Sequence, residues 1–135
     1  MACPAADPLV AARDLSVGYA VPGRGLTRVV DCVSFDVPGQ GALGIVGESG
    51  SGKSTLACAL LGYLRGGGAF DGGTLTVDGV EVTGASRSAL SALRGLRVAM
   101  VPQNPLASLT YHIPVGRQIE EVLRRSGVCQ VGEGP

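Results

Sequence analysis

The chain has 135 residues, which is enough for one small domain and too few for two. Eleven basic residues balance eleven acidic ones, so no basic excess points to nucleic acid or to an anionic membrane surface. Hydrophobic residues make up 45% of the chain, yet no apolar stretch approaches the roughly 18 residues of a membrane-spanning helix.

The N-terminal residues and the cysteines indicate a chain of the reducing cytosol. An acidic residue occurs early, and the cationic-then-apolar pattern of a signal peptide is not seen. The scattered cysteines form no C-x-x-C motif, which predicts reduced thiols rather than a metal site or disulfides. The single histidine, His112, is predicted to lie in a loop without a special task. The cysteines are Cys3, Cys32, Cys58 and Cys129.

Two strands are predicted near the start of the chain. The first covers residues 9–19, and a loop rich in proline and glycine covers residues 20–27. The second strand covers residues 28–37, where apolar side chains of one parity give the alternation of a half-buried strand. The residues of that parity are Val29, Val33, Phe35 and Val37.

A strand, a glycine-rich loop and a helix are predicted next. Residues 42–46 are a short apolar run typical of a buried parallel strand, and residues 55–61 predict a packed helix that Gly66–Gly68 would end. A β-hairpin is predicted for residues 74–83, because alternating apolar residues flank the preferred two-residue turn Asp78-Gly79.

The remaining pattern predicts two helices and another strand. Ser86 can cap a helix that carries Leu90 and Leu93, and residues 97–101 predict a second buried strand that Pro102 ends. Pro114 is predicted to start an amphipathic helix, and residues 126–135 a disordered tail. The apolar face of this helix holds Val115, Ile119 and Val122, and the charged pairs on its other face are Glu120/Arg124 and Glu121/Arg125.

The segment GESGSGKST, residues 47–55, carries the chemistry. It meets the pattern G-x-x-x-x-G-K-[ST], and Lys53 within it is the only lysine of the chain. Glycines at these places let the backbone turn tightly, so that successive N–H groups and the start of a helix can surround phosphates. The segment therefore predicts binding of the phosphates of a nucleoside triphosphate together with Mg²⁺. Lys53 would contact the β- and γ-phosphates. The Ser54 hydroxyl would bind Mg²⁺, and Thr55 would contact the α-phosphate.

Taken together, the residues resemble the ATP-binding subunits of ABC transporters over residues 9–125. Tyr19 in DLSVGY stands where that family has a tyrosine that stacks on adenine, and the hairpin GGTLTVDGVEV is similar to its antiparallel subdomain. RVAMVPQNPLASL, with Gln103, resembles the Q-loop, whose glutamine meets Mg²⁺ and the attacking water. Together with V-G-R-Q-I, these stretches most resemble the subgroup of di- and oligopeptide or nickel importers. Asn104 and Thr110-Tyr111 depart from that subgroup's usual residues.

The resemblance implies an α/β fold, a P-loop NTPase of the ABC type that is incomplete: an N-terminal antiparallel β subdomain plus the first part of the parallel core sheet. Residues 1–135 would then be a partial nucleotide-binding domain. The implied catalytic residues are Lys53 and Gln103, and the implied Mg²⁺ ligands are Ser54 and Gln103. The nucleotide would be bound by Tyr19, Gly47, Ser49, Gly50, Ser51, Gly52, Lys53, Ser54 and Thr55.

The resemblance also implies partners and a location. They are transmembrane permease subunits, a second ATP-binding subunit and, indirectly, a solute-binding protein, at the cytoplasmic face of the plasma membrane. No L-S-G-G-Q signature, Walker B Asp-Glu or switch histidine is found in the 135 residues. In the family's sheet, two strands separate the strands corresponding to 42–46 and 97–101. These two segments are therefore expected to expose apolar edges or to pair with each other.

Several interpretations remain open from the sequence. The chain could be the N-terminal part of an importer ATPase that hydrolyses ATP only with its missing half. It could also be a truncated, non-catalytic remnant that binds nucleotide weakly or not at all, which its patternless tail favours. A phosphonate-pathway ABC-type ATPase is a close variant, and a small P-loop kinase would make Tyr19, the hairpin and Gln103 coincidences.

Overall fold

A computed structural model describes residues 7–105 and 109–125 of the chain. The chain divides into two compact units, Met1–Leu90 and Ser91–Pro135. The first unit contains a four-stranded antiparallel sheet and helix α1, Lys53–Leu60. Helix α2, Arg87–Leu96, begins in the first unit and ends in the second, which also contains helix α3, Val115–Arg125. The disordered tail predicted for residues 126–135 lies outside the described residues.

The antiparallel sheet confirms the predicted β subdomain. Its spatial order is β2-β1-β3-β4, so the long first strand lies between the second and the third. The strands are β1 (Val10–Val21), β2 (Gly25–Val37), β3 (Gly68–Val77) and β4 (Val80–Glu81). The loop between β1 and β2 is shorter than the predicted residues 20–27, because both strands continue into it.

The predicted parity of β2 is wrong at Val29. Val30 is buried and Val29 is exposed, whereas Val33, Phe35 and Val37 are half-buried. Irregularities in the pairing with β1 lie on both sides of Val30, which is the partner of Val17. An odd number of extra residues in a strand shifts the later side chains to the other face, and alternation alone does not reveal such a bulge.

The hairpin between β3 and β4 confirms the sequence prediction. Val77 pairs with Val80, and the two connecting residues both have positive φ angles, 48° at Asp78 and 74° at Gly79. Two consecutive positive φ angles define the turn type whose twist matches the flanking strands.

Helix α1 covers the sheet and helps to form the core of the first unit. Its buried residues are Leu56 and Ala59, and the helix contacts both β1 and β2. The helix ends at Leu60, and after it the amides of Gly62, whose φ is 60°, and Tyr63 donate to the carbonyls of Ala59 and Cys58. These two bonds satisfy the last carbonyls of the helix and fix its length. The buried sheet residues include Ala12, Leu15, Val17, Val30, Leu75 and Val77.

The two predicted parallel strands are the main correction to the sequence analysis. Neither residues 42–46 nor residues 97–101 form a strand, so the described residues contain no part of a parallel core sheet. Their apolar side chains are largely exposed, with Val46 at 94% and Val101 at 89%. A parallel strand needs a hydrogen-bonded neighbour that is distant in the chain, and an apolar run cannot supply that neighbour. The side chains of these segments are thus exposed, but the expected strands, and with them the expected strand edges, are not formed.

Both helices predicted for the last third of the chain are present. Leu93 of α2 is buried, and Leu90 lies against Gly62. In α3 the apolar residues Val115, Ile119 and Val122 are all more than half exposed. The predicted pair of Arg124 and Glu120 is formed, with 2.8 Å between the guanidinium and the carboxylate. The side chain of Arg125 lies outside the described residues.

Replacing Ser86 with alanine is expected to lower the free energy of unfolding by about 1 kcal/mol, the usual loss for an N-cap. The Ser86 hydroxyl oxygen accepts a hydrogen bond from the Ala89 amide, with 3.2 Å between oxygen and nitrogen, which confirms the predicted cap. Urea denaturation followed by circular dichroism measures the effect. Ser86→Asp should retain the stability, and equal losses in both variants would contradict the capping role.

Ion pairs on the surface of the sheet connect strand β2 with β1 and with β3. Arg13 on β1 pairs with Asp36 on β2 at 2.7 Å, and Arg28 on β2 pairs with Asp31 and with Asp71 on β3. The side-chain hydrogen bonds raise the pKa of both arginines above the ordinary value, so both stay cationic throughout the accessible pH range. Because these pairs are open to solvent, they contribute little to stability.

Candidate nucleotide-binding site

The glycine-rich loop is positioned by the close approach of Gly52 to strand β2. Gly52 immediately precedes α1 and has a φ angle of 89°. A Cβ atom at this place would lie 2.8 Å from the Val29 carbonyl oxygen and 3.4 Å from a Val30 methyl group. Only glycine combines this left-handed conformation with so close a backbone contact. The sheet thus determines where the loop meets the helix.

The Lys53 ammonium group is bound to the loop itself. Its Nζ donates to the carbonyl oxygens of Gly47 at 2.8 Å and Glu48 at 2.6 Å, and to the Ser51 hydroxyl at 3.3 Å. These three acceptors match the three hydrogens of an ammonium group. The side chain therefore folds back along the loop, and the first residue of α1 places a positive charge beside residues 47–51.

The start of α1 supplies free backbone donors next to that charge. Among the described residues, the amides of Lys53, Ser54 and Thr55 have no backbone acceptor. The first amides of an α-helix generally lack a partner within the helix. No side chain caps this end of the helix, and no acidic residue occupies its first turn. An anion can therefore use these donors, and the helix dipole favours negative charge at the same place.

The hydroxyl groups predicted to take part are accessible. Ser49, Ser51 and Ser54 are exposed, Thr55 is half-buried, and Gly50 between the serines has a φ of 85°. No cluster of three or more metal-binding side chains is found in residues 7–105 and 109–125. Magnesium usually takes one or two protein ligands together with phosphate oxygens and water, so a single Ser54 hydroxyl beside phosphates fits it.

Tyr19 lies near the end of β1, half-buried and paired with Gly68 on β3. A Cβ atom on Gly68 would be 2.8 Å from Tyr19 Cε1, so the glycine makes room for the ring. The aromatic ring therefore packs across the strands, which is the role that a strand tyrosine usually has. Stacking of its remaining surface on adenine stays a prediction.

Gln103 lies in the second unit, in a bend after the irregular residues 97–102. Its side chain is exposed, as are those of Asn104 and Pro105. The sequence places it in a Q-loop only through the family resemblance, and its contact with Mg²⁺ stays a prediction. His112, also exposed, lies in a turn as predicted.

The contacts of Gly68 and Gln118, like that of Gly52 with β2, were not predicted from the sequence. Gly68, interpreted only as part of a helix breaker, accommodates the Tyr19 ring. Gln118 in α3 makes three side-chain hydrogen bonds to the turn before the helix. A polar residue in the first turns of a helix, close after a turn-rich segment, was the only available signal.

Of the cysteines in the described residues, Cys32 is exposed and Cys58 is half-buried, and both are free thiols. Cys3 and Cys129 lie outside the described residues. In the part of the chain that the structure describes, no helix has both the length and the apolar character needed to cross a bilayer.

Comparison with known proteins identifies the class. The family model described as ABC transporter matches residues 30–130, and the chain belongs to this family. It is 41% identical over 118 residues to the oligopeptide transport ATP-binding protein OppD of Escherichia coli, covering 87% of this chain and 34% of that protein. The corresponding protein of Lactococcus lactis is 34% identical over 117 residues, covering 87% of this chain and 34% of its own length.

A peptide import ATP-binding protein of Brucella melitensis is 39% identical over 117 residues, which are 87% of this chain and 35% of that protein. The chain thus spans about a third of the length of the curated relatives that it matches. These findings confirm the ABC-type fold class and the resemblance to peptide importers. They do not favour a small P-loop kinase or a phosphonate-pathway ATPase.

Proposed function

We propose that this chain binds ATP with Mg²⁺ through residues 47–55, as part of an ABC importer ATPase that energises the uptake of peptides or a similar small solute. The observation that carries this proposal is the arrangement around Lys53. A loop rich in glycine and serine, three amides without a backbone acceptor among the described residues, and the only lysine of the chain converge at the start of one helix. That combination suits an ATP polyphosphate better than any neutral ligand.

The contacts of Lys53 also support the proposal. Its hydrogen bonds to two backbone carbonyls hold the ammonium at the loop. Binding of ATP would exchange neutral carbonyl acceptors for anionic oxygens, and hydrogen bonds between charged groups are stronger. Ser54, the second residue of α1, would place its hydroxyl beside the same phosphates as a ligand of Mg²⁺.

Gln103 is proposed to contact Mg²⁺ and the attacking water, and Lys53 to stabilise charge on the γ-phosphate. The 135 residues contain no apolar strand ending in Asp-Glu to supply a general base. We therefore propose binding, without robust hydrolysis, as the activity of residues 1–135, a partial nucleotide-binding domain. ATP turnover by the chain alone that Lys53→Ala abolishes would contradict this part of the proposal.

The relatives support a proposal for the partners and the location. Three of them are named as peptide transport or import proteins, which supports peptides as the solute class. In such an importer the chain would assemble with transmembrane permease subunits and a second ATP-binding subunit, and would serve a solute-binding protein indirectly. Its place would be cytoplasmic, at the inner face of the plasma membrane. Isothermal titration calorimetry with Mg·ATP tests the central claim, and the absence of binding heat with folded protein would overturn it.

Replacing Tyr19 with leucine is expected to weaken ATP binding by about tenfold, because stacking of a base on an aromatic ring contributes about 1–3 kcal/mol. Magnesium tripolyphosphate, which has no base, should bind equally well to both forms. Calorimetric titration with the two ligands separates stacking from packing.

Tyr19→Phe should retain ATP affinity, since the ring is kept. Tyr111→Leu is the matched control, because this tyrosine is 90% exposed on the second unit. If Tyr19→Leu weakens ATP and tripolyphosphate equally, Tyr19 acts through the packing against Gly68 and does not stack on adenine.

A further inference from the structure

We propose that the Gln118 side chain is a latch that fastens the turn Thr110–Ile113 to helix α3, and so fixes the downstream end of the segment that contains Gln103. The inference goes beyond the proposed function and does not depend on nucleotide binding. It rests on contacts within the second unit alone.

The latch uses the whole carboxamide group. The Thr110 amide donates to Gln118 Oε1 at 3.0 Å, and Gln118 Nε2 donates to the carbonyl oxygens of Thr110 at 3.0 Å and Ile113 at 2.7 Å. Both amide hydrogens and the amide oxygen are thus engaged. With the amide turned over, two N–H groups would face each other and an oxygen would face two carbonyls. The three contacts therefore select a single orientation.

The backbone brings the two partners together. The Ile113 amide donates to the Thr110 carbonyl at 3.0 Å and closes the turn, with Tyr111 exposed at its tip. The amides of Arg117 and Gln118 donate to the Pro114 carbonyl, which starts the helix directly after the turn. Gln118 then lies one helical turn after Pro114, and its side chain points back towards the preceding residues as helical side chains do.

The chemistry of the latch requires glutamine. Asparagine is one methylene shorter, and methionine has a similar length without any strong donor or acceptor. A glutamate carboxylate accepts only, so it would face the two carbonyl oxygens without a hydrogen between them. The turn begins at Thr110, seven residues after Gln103 (110 − 103), so the latch gives the chain a fixed anchor downstream of Gln103. Opening the latch would let the turn separate from α3.

Hydrogen–deuterium exchange of the Thr110 amide, followed by NMR on the whole chain without nucleotide, tests the latch. The Thr110 amide is expected to exchange about tenfold or more slowly than its intrinsic rate, since it is bonded to Gln118. Gln118→Met should remove this protection, whereas Arg117→Met, its neighbour in α3, should retain it. The protection of the Leu75 amide in the sheet reports whether each variant is folded.

The variant Gln118→Glu distinguishes loss of the latch from loss of folding. Near pH 4 a part of the glutamic acid is protonated and can both donate and accept, whereas near pH 7 it is a carboxylate. Thr110 protection in this variant should therefore return at the lower pH and vanish at the higher, while Gln118→Met stays unprotected at both. Unprotected Thr110 in the unaltered protein, or protection retained in Gln118→Met, would overturn the latch. Equal losses of Thr110 protection in Arg117→Met and Gln118→Met would also overturn it. The same holds if Thr110 protection in Gln118→Glu does not change with pH.

Discussion

Replacing Lys53 with alanine is expected to weaken the binding of Mg·ATP by about 10- to 100-fold. The estimate corresponds to about 1.5–3 kcal/mol for hydrogen bonds to a charged group, at 1.4 kcal/mol for each factor of ten. The change removes the ammonium that the structure holds 2.8 Å from the Gly47 carbonyl and 2.6 Å from the Glu48 carbonyl. Isothermal titration calorimetry measures the dissociation constants of both forms.

The same substitution also removes contacts within the loop itself, and a second variant separates this effect from the loss of phosphate binding. Alanine leaves the Gly47 and Glu48 carbonyls without their ammonium donor, although these exposed oxygens can bind water instead. Lys53→Arg keeps the positive charge but replaces the compact ammonium group by a larger, planar guanidinium group. We expect its affinity to lie between those of the unaltered protein and Lys53→Ala. Denaturation by urea should show nearly equal stability for all three.

Arg87→Ala is the matched control for the loss of one positive charge. Arg87 is exposed at the start of α2, and the phosphate-binding pattern does not include it. Its removal should leave the affinity for Mg·ATP unchanged within about twofold, because an exposed charge that makes no contact with the phosphates is screened by salt. If Lys53→Ala binds as tightly as Arg87→Ala, the phosphates are not bound at residues 47–55, and the proposed function is wrong.

The features that the sequence predicted correctly are those that neighbouring residues encode. Asp78-Gly79 specifies its own turn through two positive φ angles, and Ser86 caps a helix through the amide three residues later. The phosphate-loop pattern likewise predicted a helix near Lys53, because glycine spacing and a helix start lie within one short segment. Short-range chemistry of this kind needs no knowledge of the rest of the chain.

The features that the sequence did not predict depend on distant partners. Residues 42–46 have the apolar pattern of a buried strand, yet Val46 is 94% exposed because no described strand lies beside it. The burial of Val30 in place of Val29 reflects irregular pairing with β1, which periodicity within β2 cannot show. The contact of Gly52 with Val29 is also long-range, so the pattern predicted the loop but not what positions it.

Replacing Gly73 with alanine is expected to produce the largest loss of stability, about 3 kcal/mol. Gly73 has a φ angle of 72°, which costs a residue with a Cβ about 1–2 kcal/mol. In addition, the new Cβ would overlap the carbonyl oxygens of Arg13 and Asp14, backbone atoms of β1 that a rotamer change cannot move. Overpacking of this kind typically adds about 1–3 kcal/mol. Urea denaturation followed by circular dichroism gives the free energy of unfolding.

The cause of this close approach lies in the pairing of β1 with β3. Arg13 pairs with Thr74 and Ser16 with Gly72, so β1 has one more residue than β3 across this interval. The extra residue is Asp14, whose own φ is 49° and whose amide donates to the Ser34 hydroxyl at 2.8 Å. The bulge directs backbone carbonyls towards β3, where only glycine leaves room for them.

Gly79→Ala separates the two contributions. Gly79 has nearly the same φ, 74°, but an added Cβ would meet no atom within 4 Å. This control should lose only the conformational part, about 1 kcal/mol, and keep the same denaturant slope. If Gly73→Ala loses no more stability than Gly79→Ala, the backbone of the β1 bulge can move to accommodate the added Cβ at little cost. The sheet would then not depend on the close contact of its first and third strands.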